Sequence, residues 1–360
     1  MRIFLPLLIF LSILFSESNK YYDHSKSHHT PEGFTNPYLS LENQSKSFSS
    51  FWKMMKEERP KILGEQKIII TDISVINGKI NTQKDFMVWI GHSTILIHMS
   101  GKTILTDPIF SDRCSPVQFL GPKRYSDPAI SVEDLPEVDI ILISHNHYDH
   151  LDRNSVIKLG NKPIWIVPLG LKDWFENEGI TNIREYDWWD EDIVKEIKIY
   201  CLPSQHWSKR TILNSFETLW ASWAVEINDF RFWFAGDTGY NQYLFSEIGE
   251  RLGPFDLSAI PIGAYEPRWF MKQAHVNPEE SVLIHQDIGA RYSVAIHWGT
   301  FALTDEPLDE PPKMLRKALI EKEISSDHFF VMQHGATRSL DFLRQTETAQ
   351  RKTTVELAAD

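Results

Sequence analysis

The stretch Val138-Asp139-Ile140-Ile141-Leu142-Ile143-Ser144-His145-Asn146-His147-Tyr148-Asp149-His150 decides the fold of this chain. Its first part is a short apolar run, which predicts a buried β-strand. Three histidines and one aspartate follow directly, so they emerge at the carboxyl end of a strand, where open α/β layers keep their binding sites. Imidazole and carboxylate are ligand types that zinc takes. Four such groups exceed the need of one tetrahedral ion with a free position, so they indicate two metal ions rather than a histidine-rich surface loop.

Three later residues also follow short apolar runs and complete a candidate site. They are His206 after Leu202–Gln205, Asp237 within Phe234–Gly239, and His297 after Ser293–Ile296. Any one of them alone would more often be a core residue than a ligand, so the prediction depends on the joint pattern. We expect one metal at His145, His147 and His206, a second at Asp149, His150 and His297, and Asp237 as the bridge between them. Such a centre would activate a shared water, whose pKa zinc lowers to about 7.

Asp107, which precedes Pro108, has two readings that the sequence leaves open. Its carboxylate could orient a ligand histidine from the outer shell. An aspartate before proline is equally typical of a simple turn.

Composition restricts the class of protein. The chain has 360 residues and a net charge of −12, with lysine and arginine scattered along it. A nucleic-acid-binding protein would show a basic patch or stripe, so we expect no nucleic-acid partner. The two cysteines, Cys114 and Cys201, have no metal-binding spacing. We expect them to be free and buried, with a disulfide as the alternative in an exported protein.

The amino terminus predicts export. An apolar stretch from Ile3 to Phe15 follows one basic residue and precedes a small-x-small pattern, Ser16-Glu17-Ser18. Residues 1–18 therefore form either a signal peptide or an uncleaved anchor. Either would place the protein in the periplasm or at the envelope membrane. We expect a polar linker over 19–60, a catalytic domain over 61–343 and a polar tail over 344–360.

The expected linker contains His24, His28 and His29, which a loosely bound metal could use, although a solvated segment is the expected state. Further along, strands are predicted over Phe86–His98, Lys102–Thr106, Ile164–Val167, Ile199–Leu202, Leu219–Ile227 and Phe230–Ala235. Helices are predicted over Leu171–Glu178, Pro278–Ile288 and Pro312–Lys322, with Asn277 as the N-cap of the second. The pattern predicts an α/β fold of two packed β-sheets with helices outside.

The ligand run resembles the signature of the metallo-β-lactamase superfamily, whose fold is an αββα sandwich. Longer blocks resemble the N-acylphosphatidylethanolamine-hydrolysing phospholipase D family within it, over about Val88 to Arg338. These blocks are Trp89–Thr94, Thr106–Ser111, Gly121–Arg124, Ser204–Trp207, Ala235–Tyr240, Gly263–Phe270, His275–Glu280 and Ile296–Phe301. Ala274 departs from the family, whose members often carry an amide side chain before the histidine.

The resemblance implies a phosphodiesterase of phospholipase D type with two Zn²⁺ per chain. It would hydrolyse N-acylphosphatidylethanolamine to phosphatidic acid and N-acylethanolamine through a hydroxide that bridges the metals. Asp149, Asp237 and His275 would be the catalytic residues, and Tyr148 and His275 would contact the substrate near its phosphate. For His275 the alternative role is to cap the helix that begins near Pro278.

A phospholipid substrate implies contact with a membrane surface. Trp269, Phe270 and Met271 could enter the interface or be buried in the core. Lys209 and Arg210 could attract anionic amphiphiles or be simply solvated. A homodimer is expected by analogy only. Two other functions stay open, namely a dizinc ester, thioester or lactone hydrolase and a metal-containing envelope protein that binds lipid without turnover.

Overall fold

A computed structural model describes residues 19–40, 73–211, 214–341 and 343. The predicted signal peptide or anchor (1–18), the later part of the expected linker (41–60) and the polar tail (344–360) lie outside the described residues. Among the described residues, no helix is long and apolar enough to cross a membrane.

The first sheet has seven strands and carries the decisive stretch of sequence. Its strands are β3 (Phe86–Gly91), β4 (Thr94–Met99), β5 (Lys102–Thr106), β6 (Ile140–Leu142), β7 (Ile164–Pro168), β8 (Ile183–Tyr186) and β16 (Thr337–Ser339). They lie in the order β16-β3-β4-β5-β6-β7-β8. The strands β5, β6, β7 and β8 run parallel, so their carboxyl ends meet at one edge. The histidines after β6 therefore lie on that edge.

The second sheet also has seven strands. They are β9 (Glu191–Val194), β10 (Ile197–Leu202), β11 (Ser222–Ile227), β12 (Phe230–Phe234), β13 (Phe255–Pro261), β14 (Ala290–Ile296) and β15 (Phe329–Phe330), in the order β15-β14-β13-β12-β11-β10-β9. The strands β12, β13 and β14 run parallel. The ends of β12 and β14 therefore bring Asp237 and His297 to the same side of this sheet.

The main core lies between the two sheets. Inward side chains of the first sheet, such as Trp89 and Leu142, belong to one buried cluster with Trp223, Phe232 and Leu257 of the second. Large apolar residues on alternate strand positions favour this face-to-face packing, because each buried side chain removes a large apolar area from water. The predicted fold class, an αββα sandwich, is confirmed.

Helices cover the outer faces. The helices are α1 (Ile73–Asn81), α2 (Arg153–Leu159), α3 (Lys172–Asn177), α4 (Gln242–Leu252), α5 (Arg268–Met271), α6 (Pro278–Asp287) and α7 (Glu310–Glu321). Val156 of α2 and Phe175 of α3 pack on the first sheet. Asn277 forms a capping box with Glu280 at the start of α6, as the sequence predicts.

Two expectations need correction. The single strand expected over Phe86–His98 is two strands, because His92 has a φ of 53° and the chain reverses there. The solvated linker expected from residue 19 is wrong for residues 19–40. There, β1 (His29–Thr30) and β2 (Gly33–Phe34) form a hairpin, and His28 and His29 are buried.

Cys114 and Cys201 are both free and buried, as expected. They belong to different apolar clusters, so neither has the other as a neighbour.

Candidate metal centre

Three imidazoles converge at one point between the sheets. The Nδ1 atom of His147 lies 2.8 Å from Nε2 of His145 and 3.2 Å from Nε2 of His206. His145 and His147 come from the loop after β6, whereas His206 comes from the loop after β10. The three residues form a group whose ligand atoms all lie within 4.8 Å of one another.

A second group lies beside the first. The Oδ2 atom of Asp149 is 3.4 Å from Nε2 of His150 and 3.4 Å from Nε2 of His297. His150 and Asp149 follow β6, and His297 follows β14 of the other sheet. Both sheets thus contribute to each group.

Asp237 lies between the two groups. Its Oδ2 atom is 3.2 Å from Nε2 of His150, 3.9 Å from Nε2 of His206 and 4.0 Å from Nε2 of His145. Its Oδ1 atom is 3.1 Å from Nε2 of His297. A carboxylate in this position can offer one oxygen to each of two cations.

The turn before Asp237 requires glycine. Gly236 has a φ of +60°, which glycine adopts without strain. A Cβ atom there would lie 2.5 Å from Cβ of Ser144. Close packing of the two loops therefore brings Asp237 toward the histidines.

The residues fit a metal. Three atoms that face one another are buried and form no hydrogen bond of good geometry: His150 Nε2, His297 Nε2 and Asp237 Oδ1. A tetrahedral ion with bonds of about 2.0–2.2 Å places its ligand atoms about 3.3–3.6 Å apart. The separations of Asp149 from His150 and His297 have this size. The donor set and its spacing therefore identify a divalent-metal site.

Hydrogen bonds behind the ligands set their tautomers. Asp107 accepts from Nδ1 of His150 at 2.6 Å, and the backbone carbonyl of Ala274 accepts from Nδ1 of His206 at 2.8 Å. The hydroxyl of Ser144 donates to Asp107 at 2.5 Å and lies 2.9 Å from Nδ1 of His145, from which it accepts. Each of these imidazoles then presents an Nε2 lone pair to the centre. The outer-shell role of Asp107 is thus the reading that the structure supports.

The pKa values agree with a cation site. Burial, followed by neighbouring imidazoles, lowers the pKa of His147 to about 3. Burial also lowers the pKa of His206 to about 4. These histidines are therefore neutral, which is the form that binds a metal.

The pKa of His297, which lies next to both carboxylates, shifts in the opposite direction. Burial lowers the pKa of His297, but Asp237 and Asp149 outweigh it and raise that pKa to about 9. Burial raises the pKa of Asp237, but the neighbouring His150 and His297 hold it well below its usual range. The carboxylates attract positive charge here, and in the metal-free chain protons on the imidazoles supply it.

His92 contacts the centre although the sequence pattern does not predict it as a ligand. Its Nε2 atom lies 3.0 Å from Oδ2 of Asp149, and burial lowers its pKa to about 3. The neutral ring can thus donate to the carboxylate and orient it. His92 also accepts at its backbone oxygen from the backbone N–H of His297 at 3.0 Å. The signal that could have found it is its place in the Trp89–Thr94 block, at a tight turn between two strands.

His275 lies at the more open side of the centre. Its Nδ1 atom is 3.8 Å from Oδ2 of Asp237, and its side chain keeps 13% of its surface exposed. It does not cap α6, because Asn277 does so. The ring is therefore partly exposed to solvent beside Asp237.

The structure shows what Tyr148 and Arg210 contact beside the ligand loop. The hydroxyl of Tyr148 donates to the backbone carbonyl of Arg210 at 2.7 Å, and its expected contact with the substrate stays a prediction. The guanidinium of Arg210 donates to the carbonyls of Asn146 and Leu151, and it stacks on Tyr148. Arg210 thus stabilises the ligand loop rather than attracting anions.

The three residues of the apolar segment Trp269–Met271 differ in their exposure to solvent. Trp269 is 47% exposed, whereas Met271 is buried. Phe270 is half-buried, so the tryptophan is the most exposed of the three residues.

The sequence of this chain matches a known protein family and several named proteins. The family described as "Beta-lactamase superfamily domain" matches residues 102–298. A Caenorhabditis elegans protein named N-acyl-phosphatidylethanolamine-hydrolyzing phospholipase D 1 is 45% identical over 259 residues, which cover 68% of this chain and 73% of that protein.

This chain belongs to the N-acylphosphatidylethanolamine-hydrolysing phospholipase D family of the metallo-β-lactamase superfamily.

A second member of this phospholipase D family, the mitochondrial enzyme of Saccharomyces cerevisiae, is 38% identical over 264 residues. That match covers 71% of this chain but 56% of the yeast protein, so the chain spans little more than half of that relative. Among solved structures, the isothiocyanate hydrolase from Delia radicum gut bacteria aligns with a TM-score of 0.57 at 19% identity, covering 70% of this chain and 98% of that one. This likeness shows the fold alone. The chain is an enzyme of a phosphodiester-hydrolase family, and its centre is a metal site.

Proposed function

We propose that this chain hydrolyses N-acylphosphatidylethanolamine at a two-zinc centre. Water is added across the bond between phosphorus and the N-acylethanolamine oxygen, and the products are phosphatidic acid and N-acylethanolamine. The observation that carries the proposal is that two separate donor groups share Asp237. Relatives named for this reaction support the choice of substrate.

Two zinc ions would supply positive charge for the phosphate oxygens and a water acidic enough to react near neutral pH. His145, His147 and His206 would hold one ion, Asp149, His150 and His297 the other, and Asp237 would contact both. The close, roughly tetrahedral spacing of mainly imidazole ligands favours zinc. Iron and manganese accept the same ligand types, so metal analysis belongs to the test.

The chain's own groups would orient the substrate and move protons. His275 is proposed to contact the phosphate or to give a proton to the departing oxygen, because its ring borders Asp237 from the accessible side. His92 would keep Asp149 in place through their 3.0 Å contact. The ring of Tyr148 would form part of the wall beside the ligand loop.

The substrate would be taken from a membrane surface. Phe119 and Leu120 are 82% and 66% exposed, and Trp269 is 47% exposed. Apolar and aromatic residues of this kind favour the interface between water and lipid. Export to the periplasm or the envelope membrane is likewise our proposal, and it depends on residues 1–18.

The test is mass spectrometry of the products formed by the purified, metal-loaded chain from N-acylphosphatidylethanolamine in mixed micelles. We expect phosphatidic acid and N-acylethanolamine, together with two zinc ions per chain. His147→Ala should abolish turnover, whereas Asp327→Asn, an exposed substitution, should not change it. Free fatty acid would instead indicate the ester hydrolase. Lipid binding without any product would indicate a binding protein.

A further inference from the structure

The amino-terminal residues 19–40, called the strap below, lie against the loop that carries His206. The backbone N–H of Phe34 donates to the carbonyl of Phe216 at 2.8 Å. At Gly33 a Cβ atom would lie 2.2 Å from the same carbonyl oxygen, so only glycine permits this approach. The backbone N–H of Phe216 in turn donates to the carbonyl of Ser208, two residues after His206.

Asn36 reaches the metal ligand itself. Its side chain is buried, and its Nδ2 atom donates to the backbone carbonyl of His206 at 2.8 Å. On its other side, the His206 ring donates from Nδ1 to the carbonyl of Ala274. The backbone and the ring of this ligand are therefore restrained by two different parts of the chain.

The strap is fastened by a buried ionic cluster. Asp187, at the end of β8, contacts the ammonium of Lys26, Nε2 of His28 at 2.7 Å and Nε2 of His29 at 2.9 Å. Hydrogen bonds from these partners hold the pKa of Asp187 well below its usual range against the effect of burial. The ring of His28 also stacks on Trp188, with ring centroids 4.4 Å apart.

This cluster has the spacing of metal ligands. The ammonium of Lys26 is bound to the carboxylate, however, and a cation would have to displace it. We therefore interpret the cluster as an ion-pair anchor for the strap.

We propose that Asn36 is a positioning residue for His206, and that the cluster at Asp187 brings it there. The proposal rests on the metal-dependent function proposed above. A ligand carried on a loop binds metal strongly only when its backbone is already in place, because any ordering on binding costs free energy. The strap thus helps to position a ligand of the metal centre.

The experiment is a Zn²⁺ titration of the metal-free full chain, which measures both binding steps without any substrate. His206→Ala identifies the step that depends on this ligand. We expect Asn36→Ala and Asn36→Leu each to weaken that step about tenfold and to leave the other step unchanged. Leu has nearly the shape of Asn but no amide donor and no charge, so a purely space-filling role would leave Asn36→Leu like the wild type. Glu32→Gln, at an exposed position of the strap, is the matched control.

A second variant tests the anchor. Asp187→Asn should weaken the same step, and combined with Asn36→Ala it should weaken it no further than the stronger single variant. Wild-type affinity in both Asn36 variants would overturn the proposal. Equal weakening of both steps, with a lower melting temperature of the metal-free chain, would also overturn it. Because no substrate is used, failure of the proposed reaction would leave this result unaffected.

Discussion

Asp107→Asn is the substitution for which the structure predicts the most specific result. Asp107 is fully buried at the end of β5. Its Oδ2 accepts from Nδ1 of His150 at 2.6 Å and from the hydroxyl of Ser144 at 2.5 Å, and its Oδ1 accepts from the backbone N–H of Ser144 at 2.7 Å. Three donors thus point at two oxygens. Burial raises the pKa of Asp107, and these donors, which favour the ionised form, offset part of that shift.

Asparagine keeps the shape but replaces one accepting oxygen with an NH₂ group. At least one donor must then face another donor, and a hydrogen bond to a charged group is lost. Such a bond contributes about 1.5–3 kcal/mol. An outer-shell substitution typically weakens metal binding about 10- to 100-fold, which corresponds to about 1.4–2.8 kcal/mol. The two values agree, so we expect zinc affinity to fall by 10- to 100-fold.

The assay is competition for zinc between the purified variant and a chromogenic chelator at pH 7.5. The step that depends on His150 should weaken, and turnover under limiting zinc should fall in proportion. Asp327→Asn, the same change at an exposed position, is the control and should bind zinc as the wild type does. Zinc affinity within twofold of the wild type would refute the idea that Asp107 holds His150 in its binding orientation.

Four further outcomes follow from the same structure. Asp237→Asn should reduce turnover more than about 100-fold and lower the metal content, both measurable by product analysis and elemental analysis; full activity would exclude its bridging role. His275→Gln should lower turnover about 10²- to 10⁴-fold with unchanged metal content, whereas metal loss would make it a ligand. Burial lowers the pKa of His285 to about 4 in the folded chain. Between pH 6.5 and 4 the unfolded chain therefore binds a proton that the folded chain does not, so the free energy of unfolding decreases as the pH is lowered through this range. Urea unfolding of the metal-free protein at pH 7.5 and 4.5 measures this decrease. In His285→Gln the decrease should be smaller than in the wild type by about 2 kcal/mol, and an equal decrease in the variant and the wild type would contradict the prediction. Trp223→Ala should lower the free energy of unfolding by about 3–5 kcal/mol, because the ring is fully buried between the sheets, and a loss below about 1 kcal/mol in the same assay would contradict that packing.

Local pattern was sufficient for much of the fold. The apolar run before His145 is a strand, and the helix that Asn277 caps begins at Pro278 as expected. Strand β13, with all seven residues buried, and helix α4 were not predicted. The apolar residues of these two elements are buried by packing partners that are distant in sequence. A short window of sequence does not contain those partners and so does not predict the burial.

The candidate site, like the fold, could be predicted only in part from local sequence. The predicted metal residues are brought together because each follows a strand, and parallel strands end at one edge. The direction of the Tyr148 hydroxyl could not be predicted, because it depends on the carbonyl of Arg210, which is 62 residues away. The contact of His92 with Asp149 likewise spans 57 residues.

The sequence by itself determined the types of ligand, their positions after strands and the family, because these depend on neighbouring residues and on blocks of matching sequence. Only the tertiary structure decided which groups hydrogen-bond to the metal ligands and which hydrogen-bond to other parts of the chain. Asn36 shows this most clearly, since it lies in a segment that composition describes as a polar linker, yet it contacts His206 across 170 residues. A hydrogen bond of this kind follows from the packing of loops, and no local pattern records it.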